Sequence, residues 1–194
     1  MATANATGYP VTFDVQYPEI LSRWLIFVKW LLAIPHFVVV YLLAIASAVV
    51  TFIAFLAILF TKRYPRGMFD FVVGVNRWTA NVTAYIFLMR DEYPPFTDRA
   101  NRYPVTYNVE YPQELSRWLI FVKWLLVLPN ALVAVLLLLV AYLVTFIAWF
   151  AILFTKKYPE SLFKFVVGTL RWQHRTNAYS NLLTDKYPPY SMEP

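Results

Sequence analysis

Hydrophobic and polar positions divide this chain into two kinds of pattern. Val11-Thr12-Phe13-Asp14-Val15-Gln16 alternates apolar and polar, the period of a half-buried strand, and Val105-Thr106-Tyr107-Asn108-Val109-Glu110 alternates in the same phase. Tyr-Pro pairs bracket both segments, and proline blunts strand ends. Long apolar stretches follow. Glu19 to Ile34 reads as a mostly apolar helix beginning after Pro18. His36 to Thr61 and Asn130 to Thr155 are almost unbroken apolar runs. Each run stops at a basic cluster with a proline break, Lys62-Arg63-Tyr64-Pro65 and Lys156-Lys157-Tyr158-Pro159. An amphipathic helix is predicted next, over about Gly67 to Met89. Asp70, Gly74, Arg77 and Asn81 share one narrow face of it, as Lys164, Gly168, Arg171 and Arg175 do later in the chain. Gln173, His174, Asn177 and Asn181 make the later helix too polar to face lipid acyl chains. Both helices, 66–90 and 160–184, are therefore expected to lie at a membrane surface.

The two halves are copies of one unit. Leu21-Ser22-Arg23-Trp24-Leu25-Ile26-Phe27-Val28-Lys29-Trp30-Leu31-Leu32 recurs unchanged from Leu115 to Leu126. Thr51-Phe52-Ile53-Ala54, Leu59-Phe60-Thr61-Lys62, Phe71-Val72-Val73-Gly74 and Asp91-x-Tyr93-Pro94-Pro95 recur at the same offset of 94. Without gaps, roughly 50 of about 88 positions match. The expected organisation is a tail at 1–8, repeat 1 at 9–96, a linker at 97–102, repeat 2 at 103–190 and a tail at 191–194. Because two isolated strands are marginal, 11–16 and 105–110 are expected to pair across a pseudo-two-fold axis on the basic side of the membrane. Val11, Phe13 and Val15 would then face the same layer as Val105, Tyr107 and Val109.

A spanning helix needs about 20 apolar residues, and the run from Trp24 to Phe60 is far longer. It contains Pro35, and repeat 2 has Pro129-Asn130 there, a turn signal. Two arrangements compete. In one, a short helix enters, turns at Pro35 and a long helix returns. In the other, the first segment lies in the interface and only the second crosses. A single crossing per repeat would place the two sets of basic residues on opposite sides, against the positive-inside rule. The hairpin is therefore the preferred expectation, although its first arm, of about 24 Å, is short. The predicted fold class is a mostly α integral membrane protein of two tandem repeats, each a short strand, a Pro-broken membrane helical hairpin and an amphipathic surface helix.

Composition supports a membrane setting. The 194 residues are 60% hydrophobic, 19% aromatic and only 14% charged. Mean hydropathy is +0.52. A soluble domain carries about a quarter charged residues. The net charge of +6 points to an anionic membrane face rather than to nucleic acid. With no cysteine, disulfides, thiolate metal sites and cysteine nucleophiles are excluded. Met1 to Gly8 has neither the basic nor the apolar segment of a signal peptide. The Asn5-Ala6-Thr7 and Asn81-Val82-Thr83 triplets match a glycosylation pattern and are read as chance.

Candidate chemistry is sparse. No acidic residue interrupts either long apolar run, no phosphate loop or nucleophile elbow is present, and no acid, base or nucleophile is clustered. The chain is read as a non-enzyme without cofactors. Lys29 and Lys123 stand out inside apolar helices, each seven residues after Ser22 or Ser116 and on the same face. They either meet a lipid phosphate or partner carboxylate, or snorkel to the interface, and snorkelling is preferred. His36 is an unconvincing metal ligand because repeat 2 has Asn130 there, so a capping or interfacial role is expected. His174 reads as a solvated surface residue. Ala44 with Ala48, and Ala134, Ala141 and Ala148, offer close-packing seams. Arg23, Lys62, Arg63, Arg77 and their copies Arg117, Lys156, Lys157 and Arg171 are the expected contacts for anionic headgroups, with Lys29 and Lys123 as further lipid or partner contacts.

The succession of Trp-x4-Pro, Leu-Phe-Thr-Lys-x-Tyr-Pro, Phe-x-Phe-Val-Val-Gly-x-x-Arg-Trp and Asp-x-Tyr-Pro-Pro resembles a bacterial membrane family, the domain-of-unknown-function family numbered 4389, over nearly the whole chain. The resemblance implies a small bacterial membrane protein and carries no activity or catalytic residues. The functional expectation is a scaffold or accessory subunit of a membrane complex, in contact with the bilayer, anionic lipids and other subunits or a second copy. A carrier or channel built from the two repeats is the alternative, and a pigment- or haem-holding subunit the third. The expected location is the bacterial inner membrane, multi-pass, with both termini cytoplasmic.

Overall fold

The computed structural model describes residues 8–194; the Asn5-Ala6-Thr7 triplet and all but the last residue of the N-terminal tail lie outside them. The fold is mostly helical and repeats the same four elements twice. Repeat 1 contains β1 (Val11–Val15), α1 (Leu25–Leu32), α2 (Ile34–Thr61) and α3 (Arg66–Ile86). Repeat 2 contains β2 (Val105–Val109), α4 (Leu119–Leu126), α5 (Leu128–Thr155) and α6 (Glu160–Ser180).

The strands pair with each other, antiparallel, with Val11 opposite Val109, Phe13 opposite Tyr107 and Val15 opposite Val105. Phe13 and Tyr107 occupy equivalent positions in the two repeats, so a pseudo-two-fold axis passes through this central pair. The inward residues Val11, Phe13, Val15, Val105, Tyr107 and Val109 are all buried, whereas Asp14, Gln16, Thr106, Asn108 and Glu110 are exposed on the other face. Period-two alternation thus gives the ribbon one dry and one wet side.

Pro35 does not make a hairpin. Ala33 is helical (φ −78°, ψ −13°), its N–H bonds to the Lys29 carbonyl, and the Phe37 N–H bonds to the Ala33 carbonyl. Val127 does the same in repeat 2. Pro35 and Pro129 sit in the first turn of α2 and α5, where a helix needs no donor from them. The chain therefore runs helically from Leu25 to Thr61 and from Leu119 to Thr155, 37 residues each, interrupted only at this junction. The reversal comes later, at Lys62 and Lys156. Both adopt a left-handed conformation (φ 60°) that ends the helix, and α3 and α6 then fold back against α2 and α5. The six residues from Glu19 to Trp24, expected to open the first helix, stay outside it.

The layers follow from which faces are apolar. α3 packs against β2 and α6 against β1, so each repeat's third helix covers the other repeat's strand. The same helices pack on their other side against α2 and α5. This order places α3 and α6 between the sheet and the long helices, with 10 of the 21 residues of α3 and 13 of the 21 of α6 buried. They are core elements rather than surface helices. The expected stripe Ala134, Ala141 and Ala148 is buried on α5, the helix with the most extensive contact to α6, and small side chains let the two approach closely. Gly74 and Gly168 serve the same purpose for the segments after each third helix. A Cβ on Gly74 would lie 3.0 Å from Asp98, and one on Gly168 would lie 2.8 Å from Met192.

His174 occupies this middle layer beside the axis instead of solvent. Its ring lies 4.6 Å from that of Phe13 and 5.1 Å from that of Tyr107. Burial pushes its pKa down to about 4, so it is neutral at pH 7.

Two outcomes follow from this architecture. The central pairing is self-complementary, so residues 1–102 alone should form a homodimer with Val11 opposite Val15 of the partner; a folded monomer by light scattering in detergent would contradict the axis. His174 has a depressed folded pKa, so its contribution is complete above about pH 6.5 and is lost as pH falls toward 4. Replacing it with Ala, the residue at the matching position 80, should flatten the fall in thermal midpoint between pH 6.5 and 4.5, worth on the order of 3 kcal/mol at most. An unchanged pH slope in His174→Ala would show that another group controls it.

Candidate functional site

The charged residues singled out in the sequence separate into three environments. Lys29 and Lys123 are almost fully buried and do not snorkel. The Lys29 Nζ lies 2.8 Å from Asp91 Oδ1 and donates to the Arg90 carbonyl at 2.7 Å; Lys123 makes the same contacts with Asp185 and the Thr184 carbonyl. The other oxygen of Asp91 accepts the Ser22 backbone N–H, and that of Asp185 accepts the Ser116 N–H. One carboxylate thus bridges the two positions seven residues apart, locking the start of α1 or α4 to the segment after the third helix. Removing one member would strand a buried charge, typically a loss of about 3–5 kcal/mol. The recurrence of Asp-x-Tyr-Pro-Pro beside an unpaired lysine was the available signal for this pair.

Arg77 and Arg171 are internal struts, which corrects their expected place at the membrane surface. Arg77 donates to the carbonyls of Tyr107 and Asp98, and Arg171 to those of Phe13 and Met192. Each repeat's arginine therefore holds the other repeat's strand at its central residue. Arg171 also pairs with Asp14 at 3.3 Å, a contact that repeat 1 lacks because Asn108 stands at the matching position.

His36 and Asn130 are buried anchors within the first turn of the long helices, not turn or interfacial residues. Trp78 Nε1 donates to His36 Nδ1 at 3.1 Å, and Phe96 stacks on the imidazole at 4.1 Å. Asn130 Oδ1 accepts from Trp172 Nε1 (2.8 Å) and the Thr176 hydroxyl (2.6 Å), and its amide donates to the Pro188 carbonyl. Tryptophan at 78 and 172 explains why either side chain serves: each only has to accept an indole N–H. Trp78 and Trp172 accordingly turn inward, whereas Trp24, Trp30, Trp118 and Trp124 are exposed. Among the described residues no group of three or more His, Asp or Glu side chains converges as a metal site would require.

The remaining six cations stay exposed and gather in two groups that mix the repeats. The Arg23 guanidinium donates to the Phe154 carbonyl, and the Leu21 N–H bonds to the Lys156 carbonyl. Arg117 and Leu115 make the equivalent bonds to Phe60 and Lys62. Arg23 therefore stands with Lys156 and Lys157, and Arg117 with Lys62 and Arg63, rather than each repeat keeping its own basic set. Between the groups, no charged side chain is exposed from Leu25 to Phe60 or from Leu119 to Phe154. On α2, the exposed Val38, Tyr41, Leu42, Ile45, Val49 and Leu56 lie opposite the buried His36, Ser47, Ala54 and Ile58 at about 100° per residue. Both 37-residue helices are long and apolar enough, by length and composition, to cross a membrane.

No functionally curated protein and no solved structure matches this chain. One family does, a domain of unknown function designated DUF4389, whose model matches residues 23–98 and 117–191. These two regions begin after each strand and end after each Tyr-Pro-Pro segment, and together they cover most of the sequence. The chain belongs to that family and carries two copies of its domain in tandem.

Proposed function

We propose that this protein is a non-enzymatic membrane protein that serves as a scaffold or accessory subunit, seated in the cytoplasmic side of a bacterial cell membrane and holding anionic lipid at two basic ends. The observation that carries this reading is the uncharged apolar face of the two 37-residue helices, closed at each end by three exposed cations. An apolar face this large needs a cover in water. Trp24 and Trp118, each more than 80% exposed beside a basic group, have the amphipathic rings that favour the headgroup level. The interior cations are already paired or bonded to carbonyls, which supports a structural role for them. Arg23, Lys62, Arg63, Arg117, Lys156 and Lys157 remain to meet headgroups.

Each exposed cation near an anionic surface contributes about 1 kcal/mol. Replacing Arg63 or Lys157 with Gln should weaken partitioning onto phosphatidylglycerol-containing vesicles about fivefold per charge at low salt. Partitioning onto neutral vesicles should not change. Arg77→Gln and Arg171→Gln should instead lower thermal stability and leave lipid selectivity alone. Equal partitioning of the surface variants and the parent protein would contradict the headgroup assignment.

A further inference from the structure

We infer that the protein lies in a single leaflet, with its pseudo-two-fold axis along the membrane normal and neither long helix crossing the bilayer. This rests on the reading that lipid covers the apolar face, and it fixes the geometry of that contact.

The two long helices touch near both ends. Near one end, Phe27 meets Trp149 with ring centroids 5.0 Å apart, and Arg23 bonds to the Phe154 carbonyl. Near the other end, Phe55 meets Phe121 at 5.3 Å, and Arg117 bonds to the Phe60 carbonyl. The segments Leu25–Thr61 and Leu119–Thr155 therefore run side by side in opposite directions. A two-fold rotation leaves the component of a vector along its axis unchanged and reverses the components across it. Two segments related by the axis and reversed in direction must lie across it. The axis also passes through Phe13 and Tyr107 in the sheet. The sheet is thus level with the midpoints of the long helices along their length.

This relation decides the orientation. Were the helices to cross the bilayer, the axis would lie in the membrane plane and the sheet would sit at mid-depth. Its wet face, with exposed Asp14, Gln16, Asn108 and Glu110, would then face hydrocarbon, where charged groups are costly. The two basic groups would lie on opposite sides of the membrane, against the positive-inside rule. With the axis along the normal, both conflicts vanish. The layers then run from water through the sheet, then α3 and α6, to the long helices, whose exposed apolar positions point away from α3 and α6 into the acyl chains. Length agrees. A segment of 37 helical residues reaches about 55 Å, against a hydrocarbon core of about 30 Å. Laid flat, it presents its apolar side along its whole extent, and both basic groups reach the headgroups of one leaflet.

The chain contains no cysteine, so single cysteines can report sidedness without background. Arg63→Cys and Lys157→Cys mark the two ends, Asn108→Cys marks the sheet, and Val38→Cys and Leu132→Cys mark the apolar face. Each variant is expressed in full, and sealed right-side-out and inside-out membrane vesicles are treated with a membrane-impermeant maleimide. The expected result is that positions 63, 157 and 108 all label from the cytoplasmic side alone, while 38 and 132 label only after detergent is added. Labelling of 63 and 157 from opposite sides, or of both from either side with 108 protected, would overturn the flat orientation while leaving the membrane reading intact. Recovery of the protein in the soluble fraction, with 38 and 132 labelled without detergent, would overturn the membrane reading itself. Continued protection of 38 and 132 in detergent, within a particle of higher mass, would replace lipid by a protein cover or a second copy.

Discussion

The pairing of Val11–Val15 with Val105–Val109 is the constraint on which the rest of the molecule depends. Neither five-residue strand has another edge to pair with among the described residues, and an isolated strand leaves its backbone groups to solvent or unsatisfied. Joining the repeats at this point forces them into antiparallel symmetry. The exchange then extends outward: α3 covers β2, α6 covers β1, Arg77 and Arg171 bond across the axis, and the approach to each first helix is tied to the end of the other repeat's long helix. Each repeat supplies surfaces that only the other completes, which is the usual logic of stacked repeats reduced to two members.

The middle layer resolves the apparent conflict between the polarity of α3 and α6 and their neighbourhood of apolar helices. Each has an apolar neighbour on one side and a strand backbone on the other. Arginine suits the second side because a guanidinium donates to several carbonyls in a fixed fork. Repeat 2 has diverged most here. Ala80 and Asn81 correspond to His174 and Arg175, and Arg175 stacks over the Tyr9 ring at 5.6 Å. The duplicated backbone is therefore filled in two different ways, with an aromatic and cationic set on one side of the axis and a smaller set on the other.

Much of the fold was legible in the sequence. The internal repeat, the two strands, the apolar stretches and the small-residue stripe each have a period or an offset that names them. The family was legible for the same reason. What the periodicity could not say was which face met which neighbour. Gln173, His174, Asn177 and Asn181 looked solvated; in the structure His174 is buried within the middle layer while Asn177 stays exposed. Pro35 looked like a turn because proline so often begins one, yet at the start of a helix it needs no donor. Lys29 looked free to snorkel because Asp91, 62 positions on, comes close only after α3 folds back. The basic clusters were read within each repeat, whereas the exchange across the axis groups Arg23 with Lys156 and Lys157. Charge and hydropathy identified the residues that matter, and only the three-dimensional symmetry sorted them into paired, internal and exposed.

The duplicated chain closes around one axis and thereby builds a molecule with a polar and an apolar pole. The direction of the helices relative to a membrane tests this geometry. Polarised infrared dichroism of the full protein in oriented bilayers reads the average tilt of the helical amide groups. The expected dichroic ratio is that of helices lying close to the membrane plane, dominated by the two 37-residue segments. A ratio typical of helices aligned with the membrane normal would contradict it.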